Sequence, residues 1–458
     1  MIAPPDLRSI DQISALVRSR AVTPTDLVRA CLERIDARQE LNAFITVMHD
    51  SAMAEAAAAE REIGAGRYRG PLHGIPVSVK DLVDVAGTAT TSGSAVPPRH
   101  PRRDAPIVTR LREAGAIIVG KTNLHEFAFG TTSDESAFGP VRHPLDPAHS
   151  AGGSSGGAAV ALVEGMCFAS VGTDTGGSIR IPSAVCGTVG LKPGFGELSC
   201  AGIVPLSGTL DHVGPMARSV TDTAIMFRAM RGTADSESPR DRSTGPFSFG
   251  VPEPYFCERL EPEVRGALGR AREMLAEAGH QIHPVAIEHA ARVPDVYLHI
   301  SLPEATWYHA RMLETHADRY SPGVRLRLEL GQYILAEDYV RAMFLRTVLT
   351  HEVETALEGC DALLLPALPI TAPRLGSPMV DVDGKPEPVR AVMLRLTQLF
   401  NITGHPAVAL PAGRTREGWP LSVQVVGHRG HSERLLEIAG SVESTLGPVN
   451  AQNAPRRT

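Results

Sequence analysis

Two patterns alternate along the chain: apolar stripes at helical spacing and short unbroken apolar runs. Leu27, Ala30, Cys31 and Ile35 recur three or four positions apart or side by side, which puts them on one helical face. Thr23-Pro24 with Asp26 marks the start of that helix, since a Thr side chain can cap and Pro fits the first turn. A second helix is predicted from Asp50 to Ile63, stopping in the Gly64/Gly66 region. From there runs and stripes take turns. Ile75 to Val79 reads as a buried strand, Asp104 to Glu113 as a helix and Ala116 to Val119 as a strand. Ala158 to Glu164 reads as a helix, Cys167 to Val171 as a strand and Ser219 to Met230 as a helix.

The polar, turn-rich stretch from Gly232 to Gly245 is the best candidate boundary, as a surface loop or a link between lobes. Beyond it an amphipathic helix is predicted over Glu261 to Ala278 and a helical region over Pro303 to Glu358. Strands follow at Ala362 to Leu365, Pro406 to Leu410 and Leu421 to Val426, with a last helix over Ser432 to Leu446 and a frayed end from Asn450 to Thr458. This order predicts an α/β protein with a mainly parallel or mixed sheet. The expected organisation is an N-terminal helical region (1–64), a core (65–231) and a C-terminal part (246–458), together forming one domain.

Composition narrows the function. The chain has 458 residues, 43% hydrophobic and 21% charged, ordinary for a soluble globular protein. A formal net charge of −6, without a long Lys/Arg run, argues against a nucleic-acid surface. Six scattered cysteines with no C-x-x-C pair fit reduced thiols rather than a disulfide frame or zinc site. Met1 to Arg20 does not read as a signal peptide, and no stretch is apolar enough to span a membrane. The expected location is cytoplasmic.

Three features carry candidate chemistry. GGSSGG, Gly152 to Gly157, reads on its face as a flexible linker. A linker should not open directly onto an apolar helix, as this one does. The string also contains two overlapping G-x-S-x-G matches, but the Pro- and His-rich residues before it do not form the strand that a nucleophile elbow needs. The second feature, GTDTGGSIR from Gly172 to Arg180, follows a strand, where open α/β sheets place ligand sites. Gly176 and Gly177 free the backbone to aim successive N–H groups at one spot, a nest for an oxyanion or a phosphate. Without G-x-x-x-x-G-K-[ST], a nucleotide P-loop is disfavoured. The third is Lys80, closing the run HGIPVSVKD. A strand-end lysine is ordinarily a snorkelling surface residue; burial would instead lower its pKa and make it a base. His351-Glu352 opens an H-E-x-x string, but Thr355 stands where a second metal-binding His is needed, and His428 and His431 read as surface residues.

Together, Lys80, GGSSGG and GTDTGGSIRIPSAVCGTVGLKP closely resemble the amidase signature family, and the 24 positions between Ser154 and Ser178 match that family's spacing between its two catalytic serines. GKTNLHEFAFGTTSDESAFGPVRHP, GIVPLSGTLDHVGPMARSVTD, FNITGHPAVALPAG and GWPLSVQVVG extend the resemblance over residues 5 to 446. It implies the amidase-signature fold, a central mixed sheet flanked on both faces by helices. It also implies a Ser-cisSer-Lys triad: Ser178 the nucleophile, Ser154 the bridging serine after a cis peptide, Lys80 the base. The N–H groups of Thr175, Gly176, Gly177 and Ser178 would form the oxyanion hole. Ser155, Asp174 and Arg180 would support the loop, and Ala128, Phe129, Gly130 and Thr131 would lie beside the reacting carbonyl.

The implied reaction is cleavage of a small uncharged amide, anilide or carbamate through an acyl-enzyme, with no metal or cofactor, by a protein compatible with a homodimer. Trp307, Tyr308, Met312, Met343 and Phe344 in the variable part read as core rather than pocket. Two other roles stay open: the glutaminase (A) subunit of a tRNA-dependent amidotransferase, and a non-catalytic binding subunit retaining the fold. The Gly-Tyr-Tyr-rich segment of the former is not recognisable in ISLPEATWYHARM. Intact Lys80, Ser154 and Ser178 argue against a purely binding role.

Overall fold

The computed structural model describes residues 8–233 and 245–447. Its central sheet has eleven strands: β1 (Phe44–Val47), β2 (Pro76–Lys80), β3 (Ile117–Thr122), β4 (Ala169–Asp174), β5 (Val189–Lys192), β6 (His212–Ala217), β7 (Ser248–Pro252), β8 (Gln281–Val285), β9 (Ala362–Pro366) and, after a separate hairpin of β10 (Met379–Val382) and β11 (Lys385–Pro388), β12 (Ala407–Arg414) and β13 (Pro420–Val426). The strand order is β1-β3-β2-β4-β6-β5-β12-β13-β9-β7-β8. β2 runs parallel to β3 and β4, whereas β4, β6, β5 and β12 pair antiparallel, so the sheet is mixed as expected.

Both faces of the sheet are covered. Ile117 and Val119 of β3 join one core cluster while Ile118 joins another; Ala407 and Ala409 of β12 likewise part from Val408 and Leu410. Successive strand side chains point to opposite faces, so two cores on alternating residues mean helices above and below. The helices Pro24–Ala37, His49–Gly64, Gly156–Val163 and Arg180–Cys186 feed the first core; Pro106–Glu113, Val220–Arg231 and Ser432–Leu446 feed the second. Thr23 caps the first of these helices, its hydroxyl accepting from the Asp26 amide at 3.0 Å. Ala30, counted on the buried stripe from spacing, is only partly covered.

Most predicted elements fall within one or two residues of those observed. The strands absent from the prediction are β1, β5, β6, β7, β8, β10 and β11, all short or containing Gly or Pro. β6 (HVGPMA) is the clearest case: its Gly and Pro read as turn signals, yet it pairs with β4 through all six residues, Pro215 opposite Val171. Its neighbours on both sides override its local propensity. The expected boundary at Gly232 to Gly245 lies mainly outside the described residues, as does the expected frayed end. Strands from before and after that boundary share one sheet, since β12 pairs with β5. No helix among the described residues is long and apolar enough to cross a membrane. The six thiols are free.

One expectation fails. Trp307 is 82% exposed and Phe344 69% exposed, so neither belongs to the core. They lie on the long helices Val293–His316 and Ala336–Leu357, whose mean amphipathicity is weak and whose inward positions are taken by residues such as Ile300, Ala305, Leu349 and Val353.

Candidate active site

Lys80 is the last residue of β2, flanked on either side by parallel strands, and is fully buried. The short apolar run PVSVK forms a strand with every residue buried, so the chain delivers the amine into the interior rather than to solvent. Its Nζ lies 2.7 Å from Ser154 Oγ and 2.8 Å from Thr173 Oγ1, near the carboxyl end of β4. Burial lowers its pKa to about 7, against an upward pull from the Asp174 and Asp211 carboxylates.

Ser154 follows a cis peptide from Gly153, immediately before the helix Gly156–Val163. Its carbonyl accepts from the His125 amide at 3.1 Å and the Ser133 hydroxyl at 3.2 Å. Close packing requires the surrounding glycines: a Cβ on Gly153 would lie 2.8 Å from the Ser133 amide, and one on Gly157 2.3 Å from the Ala43 carbonyl. Ser155 joins the two serine loops. Its amide donates to the Ser178 carbonyl at 3.2 Å, and its hydroxyl to the Thr173 carbonyl at 3.3 Å.

Ser178 lies between β4 and the short helix Arg180–Cys186 and is 5% exposed. Among the described residues its hydroxyl forms no hydrogen bond with that of Ser154, which is engaged by Lys80; the loops meet through Ser155 instead. The amides of Gly176, Gly177 and Ser178 donate to no group among the described residues. Three successive N–H groups free at one turn can receive an anionic oxygen. Gly177 has φ 144°, and a Cβ there would fall 2.3 Å from Thr397 Oγ1, which donates to the Gly176 carbonyl at 2.6 Å.

Beneath the turn, Arg180 and Asp174 are both fully buried. Arg180 Nε and Nη2 each donate to the Asp174 carboxylate at 3.0 Å, and its other donors reach Thr397, Gln424 and Asn401. Asp174 also accepts from the Ile179 amide at 3.1 Å and from Asn401 Nδ2 at 2.9 Å. Burial alone would raise its pKa; Arg180, Lys192 and Asn401 hold it well below the ordinary carboxylate range. Asp174 and Arg180 are therefore engaged with each other and with the protein around the turn.

The loop from Ala128 to Thr131 runs along the same wall, with the Thr131 carbonyl carbon 2.9 Å from where a Gly153 Cβ would be. Ala128 has φ 59°, and a Cβ on Gly130 would lie 2.0 Å from His125 Nε2. Several supporting residues carry no signal in the sequence. Thr173 lies within GTDTGGSIR, where no local pattern marks it, and Thr397 lies far along the chain. Asp211 accepts from the Thr175 hydroxyl at 2.6 Å and from the Leu206 and Ser207 amides at 2.9 and 3.1 Å. Burial pushes Asp211 up to about 6 in spite of these donors. Nothing in local spacing announces such partners, because tertiary folding brings them in.

Glu288, His289 and Glu352 come together with the spacing of metal ligands, but the group is largely exposed and distant in sequence from the serine loops. His289 Nδ1 and the Glu352 carboxylate are paired there, so Glu352 is engaged outside any H-E-x-x arrangement.

Comparison with known proteins gives a consistent picture. The family model described as Amidase matches residues 26–436. An amidase of Pseudomonas putida is 38% identical over 426 residues, covering 90% of each chain. The A subunit of a glutamyl-tRNA(Gln) amidotransferase of Lachnospira eligens is 31% identical over 476 residues, covering 95% of this chain and 98% of its own. A solved amidase crystal structure superposes with TM-score 0.91 at 39% identity, covering 96% of this chain and all of the other.

Proposed function

The chain belongs to the amidase signature family of hydrolases acting on amide C–N bonds, and from that premise we propose that it cleaves a small amide, anilide or carbamate through an acyl-enzyme on Ser178. Serine is a weak nucleophile and needs a base. The amine of Lys80, neutral in part at pH 7, takes the Ser154 proton across 2.7 Å while Ser154 takes that of Ser178. Ser178 Oγ bonds to the carbonyl carbon, and the developing oxyanion is received by the free amides of Gly176, Gly177 and Ser178, with Thr175 completing the turn. As the tetrahedral intermediate collapses the C–N bond breaks, and the same relay returns its proton to the leaving amine. Water, activated by the relay, then hydrolyses the ester and restores Ser178. Ser155, Asp174 and Arg180 hold the loop, and Ala128, Phe129, Gly130 and Thr131 border the acyl group. Every proton in this scheme moves between side chains, substrate and water, and the free thiols suit a reducing, cytoplasmic setting.

The observation that carries the reading is the fully buried Lys80 amine in hydrogen-bonding contact with Ser154. Its test is labelling with phenylmethanesulfonyl fluoride followed by peptide mapping. Modification of Ser178 that disappears in Lys80→Ala is expected; an unlabelled Ser178 would leave the non-catalytic binding reading standing.

A second reading, the glutaminase subunit of a tRNA-dependent amidotransferase, is favoured by the near full-length match to one such protein. Glutamine hydrolysis that appears only with a co-purifying second polypeptide would select it over a stand-alone amidase.

A further inference from the structure

One half-buried cation beside the candidate site has no counter-ion among the described residues. Arg390 lies on the helix Val389–Leu394, one turn before Leu394 and so on the same helical face. Leu394 packs on the oxyanion turn: its Cδ2 would lie 3.0 Å from a Cβ at Gly176. The Tyr297 hydroxyl meets that same point at 2.7 Å, and Arg390 is close enough to act electrostatically on Tyr297. On its other side, the Arg390 guanidinium carbon lies 5.9 Å from the ring centroid of Phe129, in the loop beside the reacting carbonyl. The helix thus places a guanidinium between the oxyanion turn and the Phe129 loop.

Its surroundings do not neutralise it. Arg390 Nε is buried and has no hydrogen-bond partner among the described residues, nor does the side chain form an ion pair among them. Burial lowers the Arg390 pKa, as expected for a cation short of water. Arg327, whose guanidinium carbon lies 5.4 Å from the same Phe129 centroid, repels it and has a carboxylate of its own, Glu135 at 3.3 Å. Two guanidinium groups therefore share one aromatic ring, and only one of them is paired. A partly desolvated, unpaired cation is costly to fold around, and the planar guanidinium fork matches a carboxylate in a two-bond geometry.

We propose that Arg390 receives a carboxylate of the substrate, so that this enzyme hydrolyses amides whose other end carries an anionic group, such as dicarboxylic acid half-amides. The proposal rests on the serine-hydrolase reading above and revises the expectation of an uncharged substrate. Water cleaves the C–N bond to give the diacid and ammonia, and the carboxylate held by Arg390 is unchanged through the reaction.

The test compares succinamate and glutaramate with the neutral amides of the same length in which a methyl ketone replaces the carboxylate, following ammonia release. Parent kcat/KM is expected to favour the acid by about 100-fold, in the range of a charged hydrogen-bonded contact. In Arg390→Gln that ratio should fall to near one, mainly through KM, with Arg390→Lys in between. Since no hydrogen bond or ion pair among the described residues is lost, only the ring contact with Phe129, Arg390→Gln should unfold at nearly the parent temperature; a marked drop would mean a structural role and overturn the proposal. An independent measurement is protection of Ser178 from phenylmethanesulfonyl fluoride. Succinate or glutarate should slow labelling of the parent at least tenfold and leave Arg390→Gln labelling unchanged. Equal protection of both proteins, or a parent preference for the neutral keto-amides, would overturn the proposal. Failure of Ser178 to label at all would strike the serine-hydrolase reading instead.

Discussion

The Ser155 amide donates to the Ser178 carbonyl at 3.2 Å, and this one bond ties together two loops that leave different elements of the fold. Ser154 is held on the Lys80 side by its carbonyl bonds to His125 and Ser133, while Ser178 rides on the turn braced by Arg180. The two hydroxyls thus belong to separately supported pieces, and the proposed relay requires them to come within hydrogen-bonding reach of each other.

Activity should follow the protonation of Lys80. With its pKa near 7, kcat/KM is expected to climb with pH through about 7 with unit slope, and Lys80→Met should remove both the climb and nearly all turnover. A pH-rate profile flat from 5 to 9 would contradict the assignment.

The same depressed pKa has a stability consequence. Between about 7 and the ordinary lysine value of 10.5 the unfolded chain binds the Lys80 proton and the folded one does not, so folding is favoured as pH rises through that window. Lys80→Met, which lacks the group, should exceed the parent in stability most at pH 7 and below, and its advantage should shrink by pH 9. Urea unfolding at the two pH values measures the difference.

Breaking the buried pair is expected to be severe. Arg180→Met leaves the Asp174 carboxylate buried with its main partner gone, at a cost of ~3–5 kcal/mol. The double variant Asp174→Asn/Arg180→Met should recover part of that loss. Denaturant midpoints of the two single variants and the double variant form the required cycle.

Gly177→Ala should damage the oxyanion turn. Its positive φ and the 2.3 Å approach to Thr397 Oγ1 predict a loss of ~1–3 kcal/mol and a fall in kcat larger than any change in KM. Adding Thr397→Ala relieves only the steric part. Equal recovery of stability and kcat would show that backbone conformation there is unimportant.

Thr175→Val removes a donor to Asp211, whose pKa is already raised to about 6 by burial. The carboxyl should then titrate higher, and the protein should lose ~1–3 kcal/mol at pH 8, where Asp211 is ionised, and less at pH 5. Unfolding curves at those two pH values check the sign.

Much of this was legible in one dimension. The helical stripe after Thr23, the buried run ending at Lys80 and the last helix over Ser432–Leu446 follow from local periodicity, because each buries one face or both. The two serine motifs and Lys80 were recognisable together, since catalysis constrains residue type more narrowly than packing does. β6 was not legible, because its Gly and Pro are held in the sheet by β4 and β5 and not by their own propensity. Nor could spacing reveal that Trp307 and Phe344 face outward on helices whose apolar residues lie all round.

By itself, then, the order of residues determined most of the element pattern and which side chains are proposed to react, which depend on nearest neighbours and on chemistry. Only the tertiary structure decided that Lys80 is dry, that Thr173, Asp211 and Thr397 pack around the two serine loops, and that Arg390 stands beside Phe129 without an ion-pair partner among the described residues. Burial and charge pairing are set by groups far apart in the chain, and a pKa or an unmet counter-ion exists only once those groups have been brought together.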